Sequence, residues 1–170
     1  MSIDKEDYCV KVSLPGKDVE ANINDELTDY SIDEPFEIAE AMKKQASRYF
    51  KWADLFNKAK RIVSTLERDY DVWYAKAQKK VREVLVRKEG NNKPTINDLK
   101  NGVTIYFAKS KAIWDSKIDK AQDNVSTLDT VVRATSVKKD MLVSVGQLVS
   151  RLIDSGNLVV KDKKISKRRD

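Results

Sequence analysis

Histidine is absent from the sequence, and cysteine occurs once, as Cys9. The lack of histidine removes the usual general base near neutral pH, the Ser-His and Cys-His nucleophile pairs and the common zinc sites. A single cysteine excludes an intrachain disulfide. The chain also lacks a GxGxxG or GxxxxGK[ST] run, the glycine-rich loops that hold phosphates. We therefore expect a protein that is not an enzyme and that needs no cofactor and no metal.

Glycine, proline and long apolar runs are also scarce. Five Gly and three Pro among 170 residues, with 35% charged residues, are typical of long, well-solvated helices. No stretch approaches the roughly 18 consecutive apolar residues of a membrane span. The N-terminus shows no basic region followed by an apolar run, so a signal peptide is not expected. The sequence therefore predicts a cytoplasmic protein without a membrane partner.

Charge is distributed unevenly along the chain. Residues 1–34 contain ten Asp or Glu and three Lys, whereas Lys43–Lys88 contains fourteen Lys or Arg and five Asp or Glu. The last ten residues contain six basic and two acidic side chains. This asymmetry indicates a polyanionic partner and an acidic arm that competes with it. Ordinary solvation of long helices, with a basic tail, is the alternative interpretation.

Composition divides the chain into an acidic extension (1–34), a helical domain (35–156) and a basic tail (157–170). Within the extension, YCVKVSL alternates apolar and polar residues, which is compatible with a short strand or hairpin. Pro35, after two acidic residues, is a favourable start for a helix. No Gly or Pro follows until Gly90.

Turn-forming residues then concentrate at 89–95, and Thr95 with Asp98 has the spacing of a capping box. A second helical stretch follows, with an interruption expected near residues 101–102. Two arms of similar length, 36–88 and 103–154, predict an all-α fold: a long, coiled-coil-like antiparallel helical hairpin.

Heptad spacing in the first arm predicts its buried seam. One series of seven-residue steps contains Ile38, Gln45, Trp52, Ala59, Leu66, Trp73 and Lys80. The second contains Met42, Tyr49, Phe56, Val63, Tyr70, Ala77 and Val84. The aromatic residues on these series, Tyr49, Trp52, Tyr70 and Trp73, are therefore expected in the core. A platform on which nucleic-acid bases stack is the alternative that the pattern leaves open.

The second arm has more apolar positions than one seam can bury. Beyond residue 130 a second apolar face appears, which predicts a homo-oligomer, because an exposed face of this size needs a partner. The alternative is that the N-terminal arm or residues 158–160 fold back over it. The expected interface residues are Val131, Met141, Leu142, Val145, Leu148 and Leu152.

Basic residues next to aromatic ones predict a surface for single-stranded nucleic acid, where cations follow the backbone and planar rings contact the bases. We expect weak sequence preference and strong salt dependence, since no helix-turn-helix, zinc-finger or RRM signature is present. The candidate residues cluster near the end of the first arm and continue along its first half: Lys76, Lys79, Lys80, Arg82, Arg87 and Lys88, then Lys44, Lys51 and Lys58.

The region 32–154 resembles the phage recombination mediator family, the UvsY family of T-even phages. The similar features are the element Tyr49-Phe50-Lys51-Trp52, the basic run AQKKVREVLVRKEGNN, the restart Lys93-Pro94-Thr95 and the end LDTVVRATSVKKDMLVSVGQLV. The acidic extension and the basic tail depart from the family pattern.

This resemblance implies a single-stranded-DNA-binding protein that forms a ring-like homo-oligomer. It further implies a role in loading a RecA-like recombinase onto DNA covered by single-strand-binding protein. The alternative function is a phage structural or assembly protein, a scaffold-like coiled coil without DNA binding.

Overall fold

The computed structural model describes residues 9–27, 35–88 and 93–156. Its strands are β1 (Cys9–Leu14) and β2 (Lys17–Asn22), and its helices are α1 (Ile23–Glu26), α2 (Pro35–Lys88), α3 (Ile96–Tyr106) and α4 (Ala108–Asp154). The prediction of a mostly all-α fold with a short N-terminal hairpin is therefore confirmed.

The chain forms two compact units. Unit 1 comprises Met1–Asp54 and Asp129–Asp170, and unit 2 comprises Leu55–Leu128. The three-part division by composition stays a prediction. Parts of the acidic extension (1–8 and 28–34), most of the predicted turn (89–92) and the basic tail (157–170) lie outside the described residues.

The hairpin in unit 1 forms where apolar and polar residues alternate. Its strands pair antiparallel, with Val12 opposite Val19. Gly16 occupies the turn at φ 78°, a left-handed conformation that glycine adopts without steric cost. The side chain of Val12 is buried.

Helix α2 ends where the first arm was predicted to end and begins one residue earlier than that arm. It begins at Pro35 and continues for 54 residues to Lys88, because no Gly or Pro interrupts it and proline is compatible with the first turn. The N-terminus of α3 is also as predicted. The Thr95 hydroxyl accepts a hydrogen bond from the Asp98 amide (3.2 Å), and the Asp98 carboxylate accepts one from the Thr95 amide (2.8 Å).

The second helical stretch is interrupted five residues later than predicted. The irregular residue is Phe107 (φ −120°, ψ 23°), between α3 and α4. Gly102 lies within α3 and is buried against Val81, whose Cγ1 atom would be 2.3 Å from a Cβ added at Gly102. The glycine at this position therefore permits close approach of two helices and does not break the helix.

In unit 1, α2 and α4 run antiparallel. Gln45 is fully buried and donates from Nε2 to the carbonyl oxygen of Thr135 at 3.3 Å. About three turns further along α4, Gly146 lies beside Met42 and Ile38, which precede Gln45 on α2. Because rising residue numbers on one helix meet falling numbers on the other, this unit contains the antiparallel pairing that the sequence predicts.

Unit 2 has a small core between α2 and α3. Its buried residues are Ala77, Val81, Leu85, Leu99 and Val103. Trp73, Tyr74 and Phe107 pack against them and are half-buried. The contacts of Val81 with Gly102 and of Trp73 with Phe107 give the same antiparallel direction.

The heptad seam is wrong at its C-terminal end. From Ala59, three heptad steps lead to Lys80, whose side chain is exposed, while the neighbouring Val81 is fully buried. Ala77, on the second predicted series, is buried as predicted, and Val81 and Leu85 are buried at the next two steps of four residues. A heptad drifts by about 20° per repeat relative to a straight helix, so the buried face leaves the first series at Lys80.

Two of the predicted interface residues are also wrong. Val131 and Leu142 are fully buried within the single chain. They line the α4 face that contains Leu128, Thr135 and Val149, which are buried too. A side chain without accessible surface in one copy cannot contact a second copy. Met141 and Leu148 are exposed, and Val145 and Leu152 are half-buried, so these four stay candidates.

Candidate nucleic-acid interface

The C-terminal part of α2 carries several exposed basic side chains. Between Val72 and Arg87 the chain has five basic residues and one acidic residue, Glu83. Within the part of the chain that the structure describes, none of the five forms an ion pair. Basic side chains near a helix C-terminus interact favourably with the partial negative charge of the helix end. The five exposed residues are Lys76, Lys79, Lys80, Arg82 and Arg87.

These five side chains divide into two rows on the helix. At about 100° per residue, Lys76, Lys80 and Arg87 fall within one narrow sector, next to Trp73. Lys79 and Arg82 lie farther round, on the outer surface. From Lys76 to Arg87 the first row extends about 16 Å along the axis at 1.5 Å per residue. The first row therefore combines aligned cations with an adjacent aromatic ring, the two features of a single-strand-binding surface.

Five aromatic rings form a cluster in unit 2. Trp73 is central: its ring centroid lies 6.4 Å from that of Trp114 and 6.5 Å from that of Phe107, the latter at 90°. Tyr70 stacks on Tyr74 at 5.7 Å and contacts Trp73 at 5.6 Å. The rings are half-buried because they pack mainly on one another.

The structure distinguishes among the four aromatic residues for which the sequence left open a core role or a base-stacking role. Trp52 is 0% exposed, so it is a core residue, as the seam predicts. Tyr49 is half-buried beneath the ammonium group of Lys139, which lies 5.0 Å from its ring centroid. Tyr70 and Trp73 belong to the aromatic cluster and keep an accessible edge. Trp52 therefore has no surface for a contact with bases, whereas Tyr49, Tyr70 and Trp73 are all half-buried, and of these Trp73 lies next to the row of cations.

The remaining predicted cations differ in their surroundings. Lys44 is exposed in unit 1, and Lys58 is exposed in unit 2 and has an interaction within the chain. Lys51 forms an ion pair with Glu26 at 2.8 Å, and its ammonium group lies 4.7 Å from the centroid of the Trp52 ring. The side chain of Lys88 lies outside the described residues. The structure thus places five of the nine candidates on one helical segment, with Lys58 farther along the same unit.

Glu26 is the residue that the sequence analysis missed. One carboxylate oxygen accepts from Lys51 at 2.8 Å, and the other accepts from the indole nitrogen of Trp52 at 2.9 Å. Partial burial raises the pKa of Glu26, but the hydrogen bonds from Lys51 and Trp52, with the charges of Lys51 and Arg48, outweigh burial and leave this pKa below its ordinary value. The excess of acid before residue 35 was the only available signal, and it did not single out Glu26.

No other chemistry is visible in the described segments. They contain no group of three or more Cys, Asp or Glu side chains placed to hold a metal ion. Their buried side-chain nitrogen and oxygen atoms all have hydrogen-bond partners. None of the helices in these segments combines the length and the apolar character that crossing a membrane requires.

Comparison with known proteins gives no relative. No family model, no curated protein and no solved structure matches the chain.

Proposed function

We propose that this protein is a non-enzymatic, single-stranded-DNA-binding recombination mediator or accessory protein. The observation that carries the proposal is the row formed by Lys76, Lys80 and Arg87, exposed and without ion pairs in the described chain, beside the half-buried Trp73. The cations would contact consecutive phosphates, and the accessible ring edges would contact bases. Such binding has little sequence preference and depends strongly on salt.

The biological role follows from the resemblance to the phage mediator family. In this proposal the protein works in the host cytoplasm as a ring-like homo-oligomer. It assists a RecA-like recombinase on DNA covered by single-strand-binding protein. Several basic segments in one oligomer would add weak contacts by raising the effective concentration of each site.

The test is a titration of a fluorescent oligonucleotide at several salt concentrations with a charge-reversal variant. Replacing Lys76, Lys80 and Arg87 by Glu should weaken binding and lower the salt slope by about 2, because each lost phosphate contact removes about 0.7 on single strands. The matched control replaces Lys100, Lys109 and Lys120, which are exposed elsewhere in unit 2, by Glu. It changes net charge equally and should retain most of the affinity and slope.

Equal losses in the two variants would show attraction to net charge without a defined site. A phage structural or assembly protein is the second candidate function. The long helices and an exposed apolar stripe on α4 favour it. No oligonucleotide binding by the wild-type protein at low salt would support this alternative and overturn DNA binding.

The mediator step needs its own measurement. A RecA-like recombinase with single-stranded DNA and single-strand-binding protein should show faster filament assembly when the wild-type protein is added. The triple variant at residues 76, 80 and 87 should lose this stimulation. Binding without stimulation by the wild type would reduce the proposal to single-strand binding alone.

A further inference from the structure

An apolar stripe lies exposed along the C-terminal half of α4. Val137 is 59% exposed, Met141 is 51% exposed and Leu148 is 55% exposed. Val145 and Leu152 are half-buried and lie next to them. At about 100° per residue these five positions fall within a sector of about 80°, distinct from the buried face that contains Leu142. Apolar side chains grouped in this way mark a contact surface.

The stripe is symmetric about its own centre. A second α4 that runs antiparallel would therefore place an apolar residue, or the small Ser144, opposite every position of the first. A parallel arrangement would instead place each residue opposite its own copy. Three pairs share the midpoint between residues 144 and 145: Val137 with Leu152, Met141 with Leu148, and Ser144 with Val145.

Charges along one edge of the stripe favour the same direction. Asp140 and Arg151 are both exposed and lie on that edge, by the same helical spacing. Antiparallel pairing brings Asp140 of each copy within one turn of Arg151 in the other, and this happens twice. In a parallel pair this edge of one copy would lie on the opposite side of the seam from the same edge of the other, so Asp140 and Arg151 would not meet. Among the described residues, the carboxylate of Asp140 forms its ion pair with the adjacent Lys139, at 3.3 Å.

We propose that a second copy of this chain covers the stripe, with the two α4 helices antiparallel and the two-fold axis beside Ser144. This inference deepens the homo-oligomeric part of the proposed function, because it names the surface and the direction of pairing. A contact between identical patches closes at two copies. A ring would therefore need another contact from a different surface.

The extent of the stripe sets the expected strength. From Val137 to Leu152 it extends about 22 Å at 1.5 Å per residue. A strip of this length on one helix is smaller than the roughly 800 Å² per partner of a standard interface. We therefore expect a dimer whose population depends on protein concentration.

Disulfide cross-linking tests the geometry without DNA. Cys9 is the single cysteine and is exposed, so Cys9→Ser provides a cysteine-free background. In that background Ser144→Cys should cross-link to itself on mild oxidation. Val137→Cys alone should not, because its two copies would be about 22 Å apart along the axis, but a mixture with Leu152→Cys should form the heterologous cross-link. The matched control is Ser150→Cys, exposed on the same helix away from the stripe.

Each outcome bears on the proposal. Self-linking of the residue-137 variant at the rate of the residue-144 variant would show parallel pairing and overturn the antiparallel arrangement. Linking of the Ser150 variant at the same rate would show random collision and also overturn it. Absence of any cross-link, as when another segment of the same copy covers the stripe, would overturn pairing altogether.

Mass by light scattering as a function of concentration gives an independent measure. Leu148→Glu should raise the dimer dissociation constant at least tenfold, and the control Val143→Glu, off the stripe, should not. Asp140→Arg and Arg151→Asp should each weaken the dimer, and the double exchange should restore it. A wild-type monomer at every concentration overturns the proposal. The oligonucleotide titration is separate, so failure of pairing and failure of DNA binding are distinguishable.

Discussion

The basic row at the end of α2, in unit 2, differs from the basic residues that have partners elsewhere in both units. In unit 1, Lys51 pairs with Glu26 and Lys139 lies over Tyr49. In unit 2, Lys60 lies over Phe56 and Lys111 pairs with Asp115, whereas Lys76, Lys80 and Arg87 have no such neighbours among the described residues. A basic helix is therefore a candidate binding surface only where the surrounding chain leaves its charge unneutralised.

The units also differ in how they bury their tryptophans. Trp52 in unit 1 is completely buried and donates its indole hydrogen bond to Glu26. Trp73 in unit 2 is half-buried and surrounded by other rings. The first arrangement is that of a core residue. The second leaves an edge that a ligand can contact.

The largest expected effect is therefore on Trp52. Trp52→Ala should reduce the free energy of unfolding by about 3–5 kcal/mol, as for other buried aromatic residues. Trp73→Ala should cost less, because part of its ring is already in water. Urea denaturation measures both. If the two substitutions cost the same, the distinction between the tryptophans is wrong.

Two helical glycines provide the next comparison. Gly102→Ala in unit 2 should destabilise, because the new Cβ would meet Val81 Cγ1 at 2.3 Å. Overpacking of this kind costs about 1–3 kcal/mol, partly offset by the better helix propensity of Ala, about 0.5–1 kcal/mol. Gly146→Ala in unit 1 should instead stabilise the protein by up to about 1 kcal/mol, the gain in helix propensity. The new Cβ would lie 3.5 Å from its nearest neighbour, Met42 Sδ, which is an ordinary contact.

Urea denaturation also measures the stability of both glycine variants. A second substitution, Val81→Ala, should recover part of the loss at Gly102, because it removes the clashing methyl groups. Additive losses in that double variant would contradict the proposed contact.

The Glu26 contacts give a smaller, pH-dependent effect. Glu26→Gln should cost about 1 kcal/mol at pH 7, the usual net value of such a hydrogen bond. The pKa of Glu26 is lowered in the folded state, so its stabilisation is present above the unfolded value of about 4.3 and is lost as pH falls through the folded value. The stability difference between wild type and variant should therefore shrink between pH 5 and about pH 3.

Unfolding of both proteins at several pH values tests this sign, and the subtraction removes most of the titration of other carboxyl groups. A difference that grows on acidification would show that Glu26 is held neutral, contrary to its contacts with Lys51 and Trp52.

The smallest effect is expected for the exposed cations. Lys79→Glu with Arg82→Glu should leave stability within about 0.5 kcal/mol of wild type, as for most surface substitutions. The same variant should weaken oligonucleotide binding if the outer row takes part. A large fall in melting temperature would mean that these side chains support unit 2, and would remove them from the candidate interface.

Local signals in the sequence determined the secondary structure. The absence of Gly and Pro between Pro35 and Gly90 predicted α2, and Thr95 with Asp98 predicted the start of α3. Alternating residues around Val12 predicted a strand. These features act within a few residues along the chain, so the sequence alone contains the relevant physical information.

Tertiary packing decided which of those residues are available. Val81 is buried, and Lys80, which the heptad series placed in the seam, is exposed, because a straight helix does not keep a seven-residue period. Lys51 is hydrogen-bonded to Glu26, which lies 25 residues earlier in the chain. Gly102 has no side chain where Val81 of α2 packs closely against it. Leu142 is buried against its own chain and Leu148 is not. Composition and spacing do not contain these outcomes, because each depends on which atoms distant segments bring into contact.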